Sequence, residues 1–279
     1  MDGKKYISNF AKELKNSDIN MKVIALGMGM QSTALYMMSS IGDFERADVA
    51  IFSDPMAEHT KTYELLDWLL DWQKKNDGIP IEVVSTNLYQ DILDGVNKKG
   101  HTFVSIPAFG KGKIIKRQCT YDYEIEPVEK KVRELYGLKK RQRMPKTEMW
   151  LGITIDESQR MKLSQKPRIV NRYPFLELMM NRSDCMAYME KNKFPIPIKS
   201  SCVFCPFHSD SQWKDIKLNY PKEWKKCLEV DKAIRNTAFK GGASEPVYLH
   251  QSLVPLEEVD LNEDQTDLFE NECEGHCGL

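Results

Sequence analysis

The stretch MKVIALGMGMQSTALYMM, residues 21–38, joins an apolar run to a short glycine turn and then to a second apolar run. This pattern predicts a buried strand, a tight turn and the first turns of a helix. The first N–H groups of a helix have no partner within it, and together with the helix dipole they bind anions. Gly27 and Gly29 would let the backbone approach a phosphate, and Ser32 and Thr33 would add hydroxyl donors. The alternative is an ordinary turn in which the glycines only supply positive φ angles.

The composition is that of a globular protein. The chain has 279 residues and a mass of 32.3 kDa, which suits one large domain or a domain with a sizeable appendage. No apolar run is long enough to span a bilayer, and the N-terminal residues lack the apolar core of a secretory signal. We therefore expect a cytoplasmic protein with no membrane partner. The seven cysteines, in a reducing compartment, are then more typical of thiols or metal ligands than of disulfides.

Charge is balanced over the whole chain but uneven locally. The formal net charge of −1 gives no global field that would attract nucleic acid. Residues 139–143, KKRQR, form a basic run, and the segment from Glu257 to Glu274 is strongly acidic. The basic run would suit a polyanionic partner, although such a run is usually a solvated surface.

Strand-like segments alternate with helical ones along the first part of the chain. After the first strand, they lie at residues 48–54, 81–84 and 148–153. The alternation predicts βαβ units, and hence an α/β fold with a doubly wound parallel sheet. Sites in such sheets gather at the carboxyl ends of the strands. The glycine loop, Asp54 with Glu58, and the segment after Gly152 would converge there.

The pattern changes after about residue 175, where helical segments alternate with proline-rich turns. We expect a short amphipathic helix within residues 1–20, an α/β domain at 21–175, a smaller helical, cysteine-containing region at 176–270 and a mobile cysteine tail at 271–279. In the helical region we expect helices at 182–191, 211–218 and 221–235, and a last strand-like piece at 246–250.

The cysteine spacing is compatible with a metal site, a redox pair or structural thiols. Cys202 and Cys205 form a CxxC motif on a turn that ends in Pro206, and two such thiolates can bind one metal ion or two corners of a cluster. A thioredoxin-type redox pair needs a preceding strand and a long helix, and the flanking Pro197 and Pro206 disfavour that arrangement. Cys119 offers a third ligand.

Two metal centres fit this ligand set. Three cysteines with an open coordination position suit a [4Fe-4S] cluster, whereas three cysteines with His208 suit zinc. The soft ligands and the lack of a second CxxC or a histidine pair favour the cluster. Cys185 and Cys227 lie in helical patterns, where we expect them to be small buried apolar residues.

Several segments, in the same order along the chain, resemble those of one family. They are LGMGMQST at 26–33, IFSD at 51–54 with Glu58, RQCT at 117–120 with EP at 126–127, GI at 152–153 with DES at 156–158 and Arg160, and SCVFCP at 201–206. From about residue 21 onward the chain resembles the phosphoadenylyl-sulfate (PAPS) reductase-like branch of the PP-loop adenine-nucleotide α-hydrolases, especially its phage- and island-borne members. The resemblance implies a Rossmann-like, HUP-type fold whose domain at 21–175 binds an adenine nucleotide.

The chain departs from the family's pattern in places that bear on chemistry. Gln31 stands where the PP-loop has an aspartate, which removes a carboxylate that could help hold Mg²⁺. Thr120 stands where cluster-bearing reductases have a second adjacent cysteine, so three ligands match. Ile153 replaces an arginine that commonly follows the glycine. The tail ends in CGL at 277–279, which is similar to the reductases' terminal Glu-Cys-Gly-Leu-His but ends earlier.

The resemblance also implies roles for individual residues. ATP or PAPS would lie across the strand ends with its phosphates on the glycine loop, with Mg²⁺ as a possible companion and Arg160 neutralising charge near the α-phosphate. The implied nucleotide-binding residues are Leu26, Gly27, Gly29, Gln31, Ser32, Thr33, Asp54, Glu58, Gly152 and Arg117. The implied cluster ligands are Cys119, Cys202 and Cys205. For Asp54 and Glu58, purely structural roles at a strand end and a helix start fit equally well.

Three functions are compatible with these residues. In the first, which we favour, ATP adenylates an acceptor, either nucleic acid or a small molecule, and sulfur from a donor displaces AMP through the cluster or a cysteine persulfide. In the second, tail residue Cys277 or Cys273 attacks the sulfur of an activated sulfate, and a dithiol reductant then releases sulfite. In the third, the protein is a non-catalytic nucleotide-binding regulator with structural zinc.

Overall fold

The structure is a computed structural model that describes residues 19–240 and 245–261, with only the backbone described at 239–240. The helix expected within residues 1–20 lies almost entirely outside this range. The tail at 271–279, with Cys273 and Cys277, lies wholly outside the described residues.

A five-stranded parallel sheet forms the centre of the molecule, with the strand order β3-β2-β1-β6-β7. The described strands are β1 (Met21–Ala25), β2 (Val49–Asp54), β3 (Ile81–Ser85), β4 (Phe109–Gly110), β5 (Lys113–Ile114), β6 (Thr147–Trp150) and β7 (Ile169–Arg172). In the register of the central strands, Ile24 is paired with Ala50 on one side and with Trp150 on the other. The predicted α/β fold with a parallel sheet is confirmed.

Helices cover both faces of the sheet. The described α-helices are α1 (Met30–Ile41), α2 (Thr60–Lys75), α3 (Leu88–Leu93), α4 (Glu126–Leu135), α5 (Pro174–Glu177), α6 (Arg182–Lys191), α7 (Asp210–Asn219) and α8 (Pro221–Lys240). Successive side chains of a strand point to opposite faces, so a strand covered on both faces must be apolar throughout. Ile24 accordingly packs with α1, α2 and α6, whereas its neighbours Val23 and Ala25 pack with α4.

The helical C-terminal part has its own hydrophobic core, which also takes in residues from the first half of the chain. Trp213, Cys227 and Val230 of α7 and α8 pack in one cluster with Leu88 of α3 and with Tyr123. Tyr123 belongs to a π-helical turn, Thr120–Ile125, that leads directly into α4. Helix α6 instead packs against α1 in the core of the sheet.

Two parts of the sheet architecture differ from the sequence-based expectation. Strand β7 and the two-stranded β4–β5 hairpin were not predicted. The strand-like piece expected at 246–250 makes only an isolated bridge between Tyr248 and Phe109 of the hairpin. Short strands carry too few alternating positions for their period to be visible in sequence. No helix of the described ranges combines the length and the apolar character needed to cross a bilayer.

Candidate functional site

The glycine loop connects β1 to α1 as predicted, but the angles at its glycines are not those of a strained turn. Gly29 is the residue before α1 and is extended, with φ −85 and ψ 176. The positive φ of the loop, 59, belongs to Met28 and not to either glycine. The Thr33 N–H donates to the Gly29 carbonyl over 3.0 Å, which closes the first turn of the helix. The interpretation that these glycines only supply positive φ angles is therefore wrong.

Gly152 brings the end of β6 directly against this loop. A Cβ placed on Gly152 would lie 2.8 Å from the Ser32 nitrogen and 3.0 Å from the Gln31 carbonyl carbon. These are backbone atoms, so no side-chain rotation could relieve the overlap. Only glycine permits this approach.

Gln31, Glu157 and Arg160 form a small polar cluster beside the loop. The Gln31 Nε2 group donates to one Glu157 oxygen over 3.2 Å, and Arg160 Nη1 donates to the other over 2.9 Å. Among the described residues, three buried oxygens here have no hydrogen-bond partner: Gln31 Oε1, Thr33 Oγ1 and Thr154 Oγ1. Buried polar atoms are normally paired, so these three unpaired oxygens set the cluster apart from an ordinary helix start.

A cleft opens at the carboxyl ends of β1 and β2, next to the glycine loop. Of the residues selected from the sequence, it brings together Leu26, Gly27, Glu58, Arg117, Cys119, Cys202 and Cys205. The remaining described candidates lie outside its lining: Gly29, Gln31, Ser32, Thr33, Asp54, Gly152 and Arg160. The loop therefore contributes Leu26 and Gly27 to the thiol cleft, whereas Gln31 and Arg160 lie outside its lining.

Backbone hydrogen bonds position the CxxC turn. Cys202 forms an antiparallel bridge with Glu58, and the Val203 N–H donates to the Ala57 carbonyl over 2.8 Å. The Cys205 N–H donates back to the Cys202 carbonyl over 2.9 Å, which closes the turn between the two thiols. His208 Nε2 lies 3.0 Å from the same carbonyl, and burial lowers the pKa of His208 to about 4. A neutral imidazole with Nε2–H donating to this oxygen fits both observations.

Cys119 belongs to a second segment that lines the cleft. Its N–H donates to the Ser105 carbonyl over 2.9 Å, and Thr120 and Glu124 of the following π-helical turn also line the cleft. Ser53 Oγ of β2 donates to the Tyr123 carbonyl over 2.6 Å. This hydrogen bond fixes the Cys119 segment to the sheet.

The two other described cysteines are buried, as predicted. Cys185 and Cys227 are each 0% exposed and lie outside the cleft lining. Burial raises the pKa of the Cys227 thiol, which donates to the Val203 carbonyl over 3.2 Å. Within residues 19–240 and 245–261, no three His, Cys, Asp or Glu side chains converge closely enough to hold a single metal ion.

The two strand-end carboxylates have different surroundings. Asp54 Oδ1 accepts from the Met56 N–H over 2.7 Å and from the Tyr63 hydroxyl over 2.9 Å, so it stabilises the turn after β2. Glu58 instead faces the cleft, where its Oε2 accepts from Ser200 Oγ over 3.3 Å. Burial, with a smaller contribution from the charge of Asp54, raises the pKa of Glu58 to about 7. Glu58 can therefore exchange a proton near neutral pH.

Sequence reasoning missed three polar residues of this site. Ser200 and Glu124 line the cleft, and Glu157 joins Gln31 to Arg160. Glu124 had no sequence signal, because it follows Cys119 by five residues, whereas side chains on one face of an α-helix recur after three or four. Ser200 had no signal beyond its place next to the CxxC segment.

The basic run at 139–143 does not border the cleft. It precedes β6, whose first residue is Thr147, and therefore lies toward the amino ends of the strands. The cleft lies at their carboxyl ends.

Comparison of the sequence with protein-family models gave no match, and comparison with curated proteins gave no significant match. The five-stranded parallel sheet of order β3-β2-β1-β6-β7, flanked by helices, is consistent with a Rossmann-like, HUP-type fold.

Proposed function

We propose that this chain is an adenine-nucleotide-binding enzyme of sulfur chemistry that transfers sulfur to an acceptor activated at the nucleotide α-phosphate. The observation that carries the proposal is that Cys119, Cys202 and Cys205 line one cleft together with Gly27 of the glycine loop. Cys119 and the CxxC pair are far apart in sequence, and each is held by its own backbone hydrogen bonds. A purely structural role for the cysteines gives no reason for all three to face a nucleotide loop.

The nucleotide phosphates would lie at the amino end of α1, where the first N–H groups and the helix dipole favour an anion. Arg117 lines the cleft and Arg160 is linked to Gln31 through Glu157, and either guanidinium can neutralise a phosphate. The unpartnered Thr33 Oγ1 and Gln31 Oε1 add polar atoms at the same place.

In the reaction we propose, an acceptor oxygen attacks the α-phosphorus of ATP, an O–P bond forms and pyrophosphate leaves. A donor at the oxidation level of hydrosulfide then forms a C–S bond, and the C–O bond breaks with loss of AMP, so no net oxidation occurs. Glu58, with its pKa near 7, is placed to take the proton that the acceptor or the hydrosulfide gives up. Backbone N–H groups and the two arginines would stabilise the charge that develops on phosphorus.

A [4Fe-4S] cluster fits the donor set of the cleft. Each cysteine of a cluster binds a different iron, so its ligands need to be spread rather than converge on one point. Cys119 comes from one segment of the cleft lining and Cys202 with Cys205 from another, and thiolates are the preferred ligands of iron–sulfur clusters. When bound through three cysteines, such a cluster would supply an open coordination position for sulfur.

One observation favours the regulator as a second candidate. Glu157 places a carboxylate 3.2 Å from the Gln31 side chain at the start of α1, where a catalytic loop would be expected to leave room for phosphate. A protein that only senses a nucleotide needs no reacting phosphate in this position.

The proposal is tested by anaerobic purification with iron and sulfide analysis, followed by incubation with ATP and, separately, with PAPS. We expect a brown protein that loses iron in Cys119→Ala, Cys202→Ala and Cys205→Ala. Cys185→Ala, which removes a buried thiol outside the cleft, is the matched control and should keep its iron. Release of pyrophosphate from ATP should require an acceptor, and release of AMP should require a sulfur donor as well.

Three results would contradict the proposal, each in favour of a different alternative. A colourless protein loaded with zinc would exclude the cluster. Sulfite release from PAPS that is lost in Cys277→Ser would indicate a reductase. Nucleotide binding without release of AMP, pyrophosphate or sulfite would favour the non-catalytic regulator.

A further inference from the structure

One wall of the cleft belongs to a stretch of unusual charge. Residues 95–121 contain six Lys or Arg residues, one His and no Asp or Glu, although the whole chain has 40 basic and 41 acidic residues. This stretch leaves the cleft wall at Pro107, forms the β4–β5 hairpin and returns to the wall at Arg117. The hairpin is therefore attached to the rim of the cleft.

The hairpin has one packed side and one open side. Phe109 and Gly110 are buried, and Phe109 exchanges two backbone hydrogen bonds with Tyr248. Lys111, Lys113 and the following Lys116 are exposed. Within residues 19–240 and 245–261 these three lysines make no ion pair, whereas Lys98 of the same stretch pairs with Glu126. Unpaired cations on a surface form a site for a polyanion.

Exposed apolar and aromatic groups accompany these lysines. Ile114 is 46% exposed at the centre of the hairpin. Tyr121 is 44% exposed and lies two residues after Cys119, which lines the cleft. Single-stranded nucleic acids are bound by cations along the backbone and by aromatic rings on which bases stack. An acidic peptide would use the lysines but gains little from an exposed ring.

From this arrangement we infer that the lysine hairpin, defined as residues 109–116, binds single-stranded nucleic acid and directs a base toward the cleft, past Tyr121. A single strand can present its bases to a cleft one at a time, whereas a duplex holds its bases inside the stack. The inference deepens the proposed function, since it names the acceptor class for the proposed sulfur transfer.

Binding can be measured without ATP, cluster or turnover, so its failure is distinguishable from failure of the proposed function. The probe is a fluorescein-labelled single-stranded RNA of mixed sequence and about 20 nucleotides, followed by anisotropy from about 0.05 to 0.3 M KCl, with DNA of the same sequence as a second arm. The test variant carries Lys111→Gln, Lys113→Gln and Lys116→Gln. The matched control carries Lys139→Gln, Lys140→Gln and Arg143→Gln, which remove the same charge far from the cleft.

The test variant should bind at least about tenfold more weakly at 0.1 M salt. Its plot of log K against log salt should also be less steep by about 2, which is about 0.7 for each lost contact. The control should bind as the unaltered protein does. Tyr121→Ala should weaken binding about fivefold or more, and Tyr121→Phe should not.

The inference is wrong if the unaltered protein does not bind either strand at the lowest salt, or if the two triple variants lose the same affinity. It is also wrong if polyglutamate competes as well as nucleic acid, if duplex is preferred, or if Tyr121→Ala binds normally. Whether RNA or DNA binds more tightly then identifies which nucleic acid supplies the acceptor.

Discussion

Gly152 determines how closely the end of β6 approaches the glycine loop. A methyl group there would meet the Ser32 nitrogen at 2.8 Å, so Gly152→Ala must push the start of α1 away from the sheet. We expect this substitution to lower the free energy of unfolding by about 1–3 kcal/mol, as overpacking does elsewhere. It should also weaken nucleotide binding, because the N–H groups that would hold phosphate move. Urea denaturation and calorimetric titration with ATP measure the two effects.

Gly110→Ala is the matched control for this change. A Cβ at Gly110 meets its nearest neighbour, a Val247 methyl group, at the ordinary contact distance of 3.5 Å. Its effect on unfolding should stay within about 0.5 kcal/mol. Equal losses in the two variants would show that the loop contact of Gly152 has no special role.

Glu157 determines how strongly the glycine loop can bind an anion. Its carboxylate contacts Gln31 and holds Arg160 at 2.9 Å, so an incoming phosphate would meet a negative charge and compete for the guanidinium. Glu157→Gln removes the charge and keeps a hydrogen-bonding side chain of the same size. We therefore expect a non-hydrolysable ATP analogue to bind about fivefold more tightly, roughly the effect of one partly screened charge.

Asp156→Asn is the control for Glu157→Gln, because it removes the same charge from the neighbouring, exposed position. It should leave the affinity nearly unchanged. If Glu157→Gln instead binds the analogue more weakly, the carboxylate is part of the nucleotide site and our assignment of Arg160 to the phosphate is wrong.

At the scale of elements, helix α2 is capped by a histidine. The Lys61 N–H donates to His59 Nδ1 over 3.1 Å, and His59 Nε2 lies 3.3 Å from Glu223 Oε2 of α8. Nδ1 must be unprotonated to accept, so the cap requires a neutral imidazole with its proton on Nε2. Burial accordingly lowers the pKa of His59, although the nearby Glu223 opposes the shift.

This cap makes stability depend on pH in a defined direction. In the unfolded chain, His59 has its ordinary pKa of about 6.5, so below that pH the unfolded state binds a proton that the folded state excludes. The stabilisation by the neutral His59 cap is complete above about pH 6.5 and is lost as the pH falls below that value. Between about pH 7.5 and 5.5, the free energy of unfolding of the unaltered protein should fall by about 1 kcal/mol more than that of the His59→Asn variant. Asparagine can cap the helix but does not titrate. Urea denaturation at both pH values measures this difference.

His101→Asn provides the comparison, because His101 is exposed in a loop. It should show the same pH dependence as the unaltered protein. If the His59→Asn variant also shows the pH dependence of the unaltered protein, the neutral cap does not contribute to the pH dependence of stability.

The longer elements could be predicted from sequence, and the shorter ones could not. Strand β2 is predicted by its run of apolar residues, and helix α6 is predicted by its helical spacing. The predicted bounds of α6 are those observed. Strand β7 has the sequence IVNR, in which two buried positions alternate with two partly exposed ones. Four residues do not establish a period, and β7 forms because β6 offers it an open edge, which is a tertiary effect.

The candidate site was predictable only where local sequence carries it. The CxxC turn is local, and its two thiols face one cleft. That Cys119 faces the same cleft depends on the long excursion between α3 and α4, whose path is set by packing of Tyr123 and Val104 against α7 and α8. Such contacts are distant in sequence and leave no periodic signal. Cys119 entered the predicted site as a third thiol that could bind a metal, and the resemblance to a family then implied the same ligand.

At the scale of the whole molecule, the segment after β2 joins the sheet to the helical C-terminal part. The Ala57 carbonyl accepts from the Val203 N–H over 2.8 Å, and the Thr60 N–H donates to Glu223 of α8 over 2.8 Å. Ala57 itself is packed in the core formed by α7 and α8. Because loss of either core would leave polar groups of the buried residues Ala57 and Glu223 unpaired, we expect the two cores to unfold together.

Each core contains one fully buried thiol, Cys185 in the sheet core and Cys227 in the C-terminal core, so pulsed thiol labelling across a urea gradient can follow both in one sample. We expect the two thiols to become reactive at the same urea concentration, with the same steepness, when labelled peptides are resolved by mass spectrometry. Cys205 should react already without urea in the metal-free protein, because it is only partly buried in the cleft, and it serves as the labelling control. Exposure of Cys227 at clearly lower urea would contradict the coupling. It would mean that the hydrogen bonds of Ala57 and Thr60 break before the sheet does, and that the CxxC wall of the cleft can open while the nucleotide loop stays folded.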